Sequence, residues 1–225
     1  MIFWEQQLAE IREQVLLMSG LTERNLGLAM QALLERNDQL CDTVEVEDTR
    51  IDQLEVYVDE LVITYMATHG PIAKDCRLML AASKISSNLE RIGDQATTIA
   101  RRARDLNREP LLKPLIDIPQ MAEIGSEMLR DGITALVDGN AELAVEIVAR
   151  DKSVNELYKQ FARELTTHMV ENPQTITRAL NLLTVAKALE RVADHCTNIA
   201  EEVFYLARGE DIRHERALKK QAART

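Results

Sequence analysis

The chain has 225 residues, 46% of them hydrophobic and 28% charged, which is the composition of a folded protein with room for a sizeable core. Lys and Arg number 27 against 37 Asp and Glu, and the resulting net charge of −10 repels a phosphate backbone, so nucleic acid is set aside as a partner. Eight Gly, five Pro and 4% aromatics are too few for a β-sandwich or barrel, which needs a turn about every 8–12 residues.

The chain reads as helix almost throughout, because apolar residues recur with a helical rather than a strand period. A first helix is expected over 2–36, with Leu26, Met30, Leu33 and Leu34 in one stripe and Ser19-Gly20 as a candidate kink. A second, over 38–68, carries the stripe Ile51, Leu54, Val58 and Leu61. The third, over 71–107, carries Leu78, Ile85, Leu89, Ile92, Ala96 and Ile99. Helices over 119–138, 140–171 and 173–208 follow, with breaks at Asp138-Gly139-Asn140 and Asn172-Pro173. From 210 to 225 the apolar period disappears and the chain turns basic, which predicts a fraying tail.

Three of the five prolines lie between Arg108 and Pro119 and mark a linker over 108–118. The segments on either side of it repeat. NLERIGDQATTIARRA at 88–103 aligns with ALERVADHCTNIAEEV at 188–203, and Asp48-Thr-Arg-Ile-Asp-Gln-Leu54 aligns with Asp151-Lys-Ser-Val-Asn-Glu-Leu157. This is a tandem duplication of a three-helix unit, 1–107 and 119–209. Short connections between long helices force antiparallel neighbours, so the expected fold is all-α: two tandem antiparallel three-helix bundles.

The N-terminus is charged from Glu5 onward, and the longest uncharged run, Leu61 to Ala73, contains Gly70-Pro71 and is too short to span a bilayer. Cys41, Cys76 and Cys196 form no CxxC pair, which fits a reducing compartment. A cytoplasmic location is expected.

Acidic residues carry the one constellation with chemical content. On a helical wheel Glu90 and Asp94 fall opposite the apolar stripe, as do Glu190 and Asp194 in the second unit, so both pairs are expected to face outward. Folding the second and third helices back about residues 69–70 sets Asp48 level with about residue 91 and Asp52 with about 87. Asp48, Asp52, Glu90 and Asp94 then share one level of the surface, and Asp151, Asn155, Glu190 and Asp194 share the equivalent level. Such oxygen ligands favour Mg, Ca, Mn or Fe over Zn or Cu.

The competing reading is a solvated acidic face, with Arg91 and Arg191 neutralising part of it. Against that, like charges four residues apart on a helix cost about 0.2–0.5 kcal/mol per pair, and the spacing recurs in both halves. Glu55 is expected to pair with Lys84, His195 to be a surface histidine, Cys196 to be core, and Asp211 with His214 to be incidental. No nucleophile is set beside a base and no glycine-rich phosphate loop or HExxH is present, so no enzyme is expected.

The chain resembles the PhoU family of phosphate-transport regulatory proteins. The resemblance rests on Asp48-x-x-Ile51-Asp52-x-Leu54, on Leu89-Glu90-Arg91-Ile92-Gly93-Asp94 and its repeat Leu189-Glu190-Arg191-Val192-Ala193-Asp194-His195, and on Pro71-Ile-Ala-Lys-Asp-Cys-Arg77. It implies a pair of three-helix bundles, often a homodimer, acting in the cytoplasm to couple the phosphate ABC transporter ATPase to a sensor histidine kinase and to restrain the phosphate-starvation response. It further implies iron or zinc clusters on the E/D-x-x-x-D surfaces, here Asp48 to Asp52, Glu90 to Asp94 and Glu190 to Asp194, so Fe, Mn, Mg and Zn all stand as candidate ions. The second unit departs from the first in having Asn155 for Asp52. The first has Gln95, Thr98 and Arg101 where the second has His195, Asn198 and Glu201. The other classes of function weighed are a metal-buffering protein and an accessory subunit of another ion transporter.

Overall fold

The computed structural model describes residues 3–213. It consists of six long helices: α1 (Phe3–Leu34), α2 (Asp38–His69), α3 (Ala73–Asn107), α4 (Asp117–Asp138), α5 (Ala141–Glu171) and α6 (Ile176–Arg208). A 3-10 turn, Pro173–Thr175, leads into α6. α1 runs as one helix through Ser19-Gly20, where the Ser19 hydroxyl returns to the Leu16 carbonyl at 2.8 Å. The tail expected over 210–225 lies from residue 214 onward outside the described residues, as does His214.

The helix ends follow from local chemistry. Asn37 caps α2 by accepting from Gln39 N at 3.1 Å, and Asn140 caps α5 by accepting from Leu143 N at 3.0 Å. Gly70 stops α2 and Gly139 stops α4, both in the left-handed region that glycine enters without a Cβ penalty. Arg36 adopts the same conformation, φ 57°, at greater cost. Its guanidinium donates to the carbonyls of Asn107 at 2.6 Å and Glu109 at 2.7 Å, so the α1–α2 turn places a cation on the open C-terminus of α3.

α1, α2 and α3 pack on one another, α4, α5 and α6 do likewise, and α3 against α6 joins the two groups. The longest helix, α3, has 35 residues and extends for about 52 Å at 1.5 Å per residue. α3 and α6 run antiparallel, since Lys84 meets Glu202, Asn88 meets His195 and Asn198, and Arg102 meets Asn181. Exchanging the repeats maps this ladder roughly onto itself, so an approximate twofold axis passes near Gly93 and Ala193. Both residues are buried, and Gly93 faces Asp48 and Ile51 of α2.

The apolar stripes become one core. Ile51, Ile85, Leu89, Ile92 and Ile99 of the first unit and Phe161, Leu189, Val192 and Ile199 of the second are fully or almost fully buried. At about 25 cal/mol per Å² of apolar area removed from water, this burial is the main term holding the helices together. No described helix is long and apolar enough to cross a membrane.

Candidate functional site

The two acidic clusters form where α2 passes α3 and where α5 passes α6. In the first, α2 supplies Asp48 and Asp52 one turn apart, and α3 supplies Glu90 and Asp94. Asp48 is half-buried, with Oδ1 2.8 Å from the point where a Cβ on Gly93 would stand. That oxygen has no hydrogen-bond partner. Burial raises the Asp48 pKa, and Asp52 and Asp94 raise it further. The nearby Thr97 hydroxyl opposes the shift without reaching full hydrogen-bond geometry.

Asp52 is raised by partial burial and by Asp94. Glu90 is raised by burial and then by Asp94, against the pull of Arg91, with Glu55 and Asp52 adding to the repulsion. The four carboxylates therefore feel one another. Arg91, 3.4 Å from Glu90 and 4.0 Å from Asp94, is too exposed to cancel the repulsion.

The second cluster resolves its charge internally. The Asn155 amide donates to Asp151 Oδ2 at 2.9 Å, and Lys187 pairs with the buried Glu190 while its ammonium sits 5.4 Å above the Tyr158 ring. Asp194 is pushed up to about 6, first by burial, then by Glu190 and Asp151 and by a hydrogen bond shared with Asp151, with Lys187 opposing. Residue 87, the first-unit counterpart of Lys187, is serine, so α3 supplies no equivalent cation beside Glu90.

The donor set tests differently in the two units. Asp48, Asp52, Glu90 and Asp94 are all hard oxygen donors, one with an orphaned buried oxygen beside a glycine cradle, and this fits a hard divalent ion. Asp151, Asn155, Glu190 and Asp194 fit it less well, because Lys187 and the Asn155 amide already occupy acceptor sites. Among the described residues no three His, Cys, Asp or Glu side chains converge as a metal centre would require. Ligation in the first unit therefore calls for the exposed Asp52 and Asp94 to reorient.

Several sequence expectations need correction. Glu190 is only 9% exposed and Glu90 is half-buried, so these residues do not face open solvent as the wheel indicated. The reason is that α6 is flanked by α3, α4 and α5, and α3 by α1, α2 and α6, which leaves little free arc on either. Asp48 lies level with Gly93 to Thr97 rather than residue 91, since the turn between α2 and α3 occupies 70–72 and moves the fold-back point with it.

His195 is half-buried, not a surface residue: its Nδ1 meets Asn88 Oδ1 at 3.0 Å across the joint between units, and burial lowers its pKa. Lys84 pairs with Glu202 of α6 at 2.9 Å, not with Glu55, because α6 crosses α3 at that level. Cys196 is fully buried as expected, and burial pushes its thiol well up. Gly93, Thr97 and Lys187 escaped the sequence reading; the alignment of the halves held the signal for two of them, Gly93 against Ala193 and Ser87 against Lys187.

Comparison with known proteins gives a consistent set of relatives. The PhoU domain matches residues 15–103 and again 118–203. The chain is 40% identical over 215 residues to a phosphate-specific transport system accessory protein PhoU homolog of Aquifex aeolicus, covering 96% of this chain and 97% of that protein. It is 34% identical over 208 residues to the phosphate-specific transport system accessory protein PhoU of Escherichia coli, covering 92% and 86%. The crystal structure of PhoU from Pseudomonas aeruginosa superposes with a TM-score of 0.90 at 36% identity, covering 92% of this chain and all of that one.

Proposed function

The chain belongs to the PhoU family, and we propose that it is a cytoplasmic accessory regulator of phosphate transport that restrains uptake and starvation signalling when phosphate is plentiful. The observation that carries this reading is the first unit's gathering of four mutually repelling carboxylates, in a chain whose relatives are accessory proteins of the phosphate-specific transport system. Such a surface acts by binding, not by turnover. It recruits cations of the Mg, Mn, Fe or Zn type, or the basic cytoplasmic loops in which membrane proteins are enriched. The transporter's ATPase and a sensor histidine kinase are the expected partners, and a homodimer presents both units twice.

When an ion binds at Asp48, Asp52, Glu90 and Asp94 it supplies positive charge that relieves their repulsion. The chain itself does the positioning. Gly93 leaves room for Asp48, Ile51 and Leu54 anchor α2 against the core, and Arg91 holds Glu90 and Asp94 at the rim.

The test is genetic. Deleting the gene should switch on a starvation promoter in phosphate-rich medium, and the wild-type chain should silence it again. A Glu90→Gln/Asp94→Asn variant that folds and accumulates normally should fail to silence it. Full silencing by that variant would remove the acidic surface from the account.

A further inference from the structure

The approximate twofold axis between the units creates two related clefts beside the α3–α6 joint, and they differ in a way that points to a ligand. The first, about 600 Å³, is bordered by Thr97, Thr98 and Arg101 of α3 and by Thr184, Lys187 and Arg191 of α6. The second, about 240 Å³, is bordered by Lys84, Ser87, Asn88, Asn198, Glu201 and Glu202.

The second cleft is closed by its own side chains. His195 Nδ1 and Asn198 Nδ2 both meet Asn88 Oδ1, at 3.0 and 3.1 Å, and Glu202 takes Lys84 at 2.9 Å and Arg213 at 3.3 Å. The first cleft cannot close this way. The repeat puts Ala188 in the place of Asn88, Gln95 in that of His195 and Thr98 in that of Asn198. It also puts Arg101 where the closed cleft has Glu201, and Lys187 where it has Ser87.

Three cations and three hydroxyls thus border an open cleft in a protein of net charge −10. Arg191 is exposed and makes no salt bridge among the described residues, whereas Arg101 pairs with Glu45 at 3.1 Å and Lys187 with Glu190. Thr97 is 4% exposed, borders the cleft, and its hydroxyl makes no completed hydrogen bond. That hydroxyl lies beside Asp48, so a ligand oxygen reaching it would sit next to the carboxylate that holds the counter-cation. Asp48 and Asp94 stand on the α3 side of the same cleft and would repel a bare anion. Lys187 and Arg191 face them from α6 and Arg101 stands on α3 beyond Thr98, so the cleft carries both signs and suits an oxyanion accompanied by a divalent ion.

We propose that this cleft binds a phosphate-sized oxyanion, held by Arg191, Lys187 and Arg101 and by the Thr97 and Thr98 hydroxyls, with its counter-cation toward Asp48 and Asp94. Guanidinium groups suit this role because their fixed fork of donors matches phosphate oxygens. No aromatic side chain borders the cleft, which favours a free phosphate over the base-stacked portion of a nucleotide. The proposal goes beyond the partner-binding function above and can fail without it, since the test reads ligand binding with no partner present.

The test is calorimetric titration of the full chain with inorganic phosphate in magnesium-containing, low-salt buffer, with adenosine diphosphate as a second arm. Saturable phosphate binding is expected, weakened about tenfold by Arg191→Gln and changed less than about twofold by Arg163→Gln, the same substitution at an exposed arginine of α5 that borders neither cleft. Arg101→Glu, which installs the closed cleft's residue, should abolish binding while helicity is unchanged. If adenosine diphosphate binds with this dependence on Arg191 and phosphate does not, the oxyanion site stands and its source is a phosphorylated molecule. Absence of saturable binding in both arms, or binding that Arg191→Gln and Arg101→Glu leave intact, would overturn the proposal.

Discussion

Asp48 and Gly93 are coupled across the α2–α3 contact: Oδ1 of the carboxylate occupies the space, 2.8 Å from the ideal position, where any larger residue would place its Cβ. In the second unit Ala193 stands in the corresponding position, so this close approach belongs to the first cluster alone. Gly93→Ala is therefore expected to cost about 1 kcal/mol in the wild type, the displacement of Asp48 outweighing the gain from removing a mid-helix glycine. In an Asp48→Ala background only Ile51 Cδ1, at 3.3 Å, has to give way, and the same change should stabilise by up to about 0.5 kcal/mol. Denaturant unfolding of the four proteins of the cycle reads the change of sign; additive effects would contradict the coupling.

Stability should rise on mild acidification, opposite to the usual behaviour of paired carboxylates. Asp194 titrates at about 6 in the folded chain against an ordinary 3.8, so the folded state binds the extra proton between those values. Its contribution is fully present below the ordinary value and is lost as the pH rises through about 6. Asp48, Asp52 and Glu90 are raised in the same direction, and together with Asp194 they outweigh His195, whose pKa burial lowers and which works against the trend. Thermal melts at pH 5.5 should lie about 2–4 °C above those at pH 7.5, after allowance for solvent screening of these partly exposed groups. Asp194→Asn should shrink that difference, and a melting temperature that falls steadily from pH 7.5 to 5.5 would count against it.

Divalent cations should act on the first unit. Millimolar magnesium or manganese is expected to raise the melting temperature at pH 7.5 by about 2–4 °C, the shift that mass action gives a site occupied in the folded state only. The effect should vanish in Asp52→Asn/Asp94→Asn and survive in Asp151→Asn/Asp194→Asn, where Lys187 and Asn155 already answer the charge. Equal loss in both variants would mean that the asymmetry between the units has no functional weight.

Arg36 links the first turn of the chain to the end of α3. Arg36→Gly keeps the left-handed backbone at no steric cost but removes the guanidinium from the carbonyls of Asn107 and Glu109. A net loss of about 1 kcal/mol is expected, with faster amide exchange confined to the last turn of α3. Unchanged exchange there would show that the cap does not hold the helix end.

The helices, their order and the duplication were legible because each rests on local chemistry: a helical apolar period, and Gly, Pro or Asn at each break. The membership of the acidic clusters was legible too, since Asp48, Asp52, Glu90 and Asp94 are placed by helix spacing and one fold-back. What a single helix cannot state is which neighbours cover it. Glu190 lies opposite its own helix's apolar stripe, yet α5 and Lys187 enclose it. His195 and Lys84 likewise find partners on the other unit, across the α3–α6 crossing that no single repeat contains. The open cleft was hidden for the same reason, since its two sides come from different repeats.

The central claim is that the acidic surface engages the phosphate-transport machinery, and the most direct measurement is quantitative co-purification. Tagged wild-type chain and Glu90→Gln/Asp94→Asn would be recovered at equal amounts from detergent-solubilised membranes of phosphate-replete cells. The account predicts that the transporter ATPase or a sensor histidine kinase accompanies the wild type and is depleted about tenfold or more with the variant, as loss of charge-assisted contacts implies. Recovery of neither partner, or equal recovery with both chains, would contradict it.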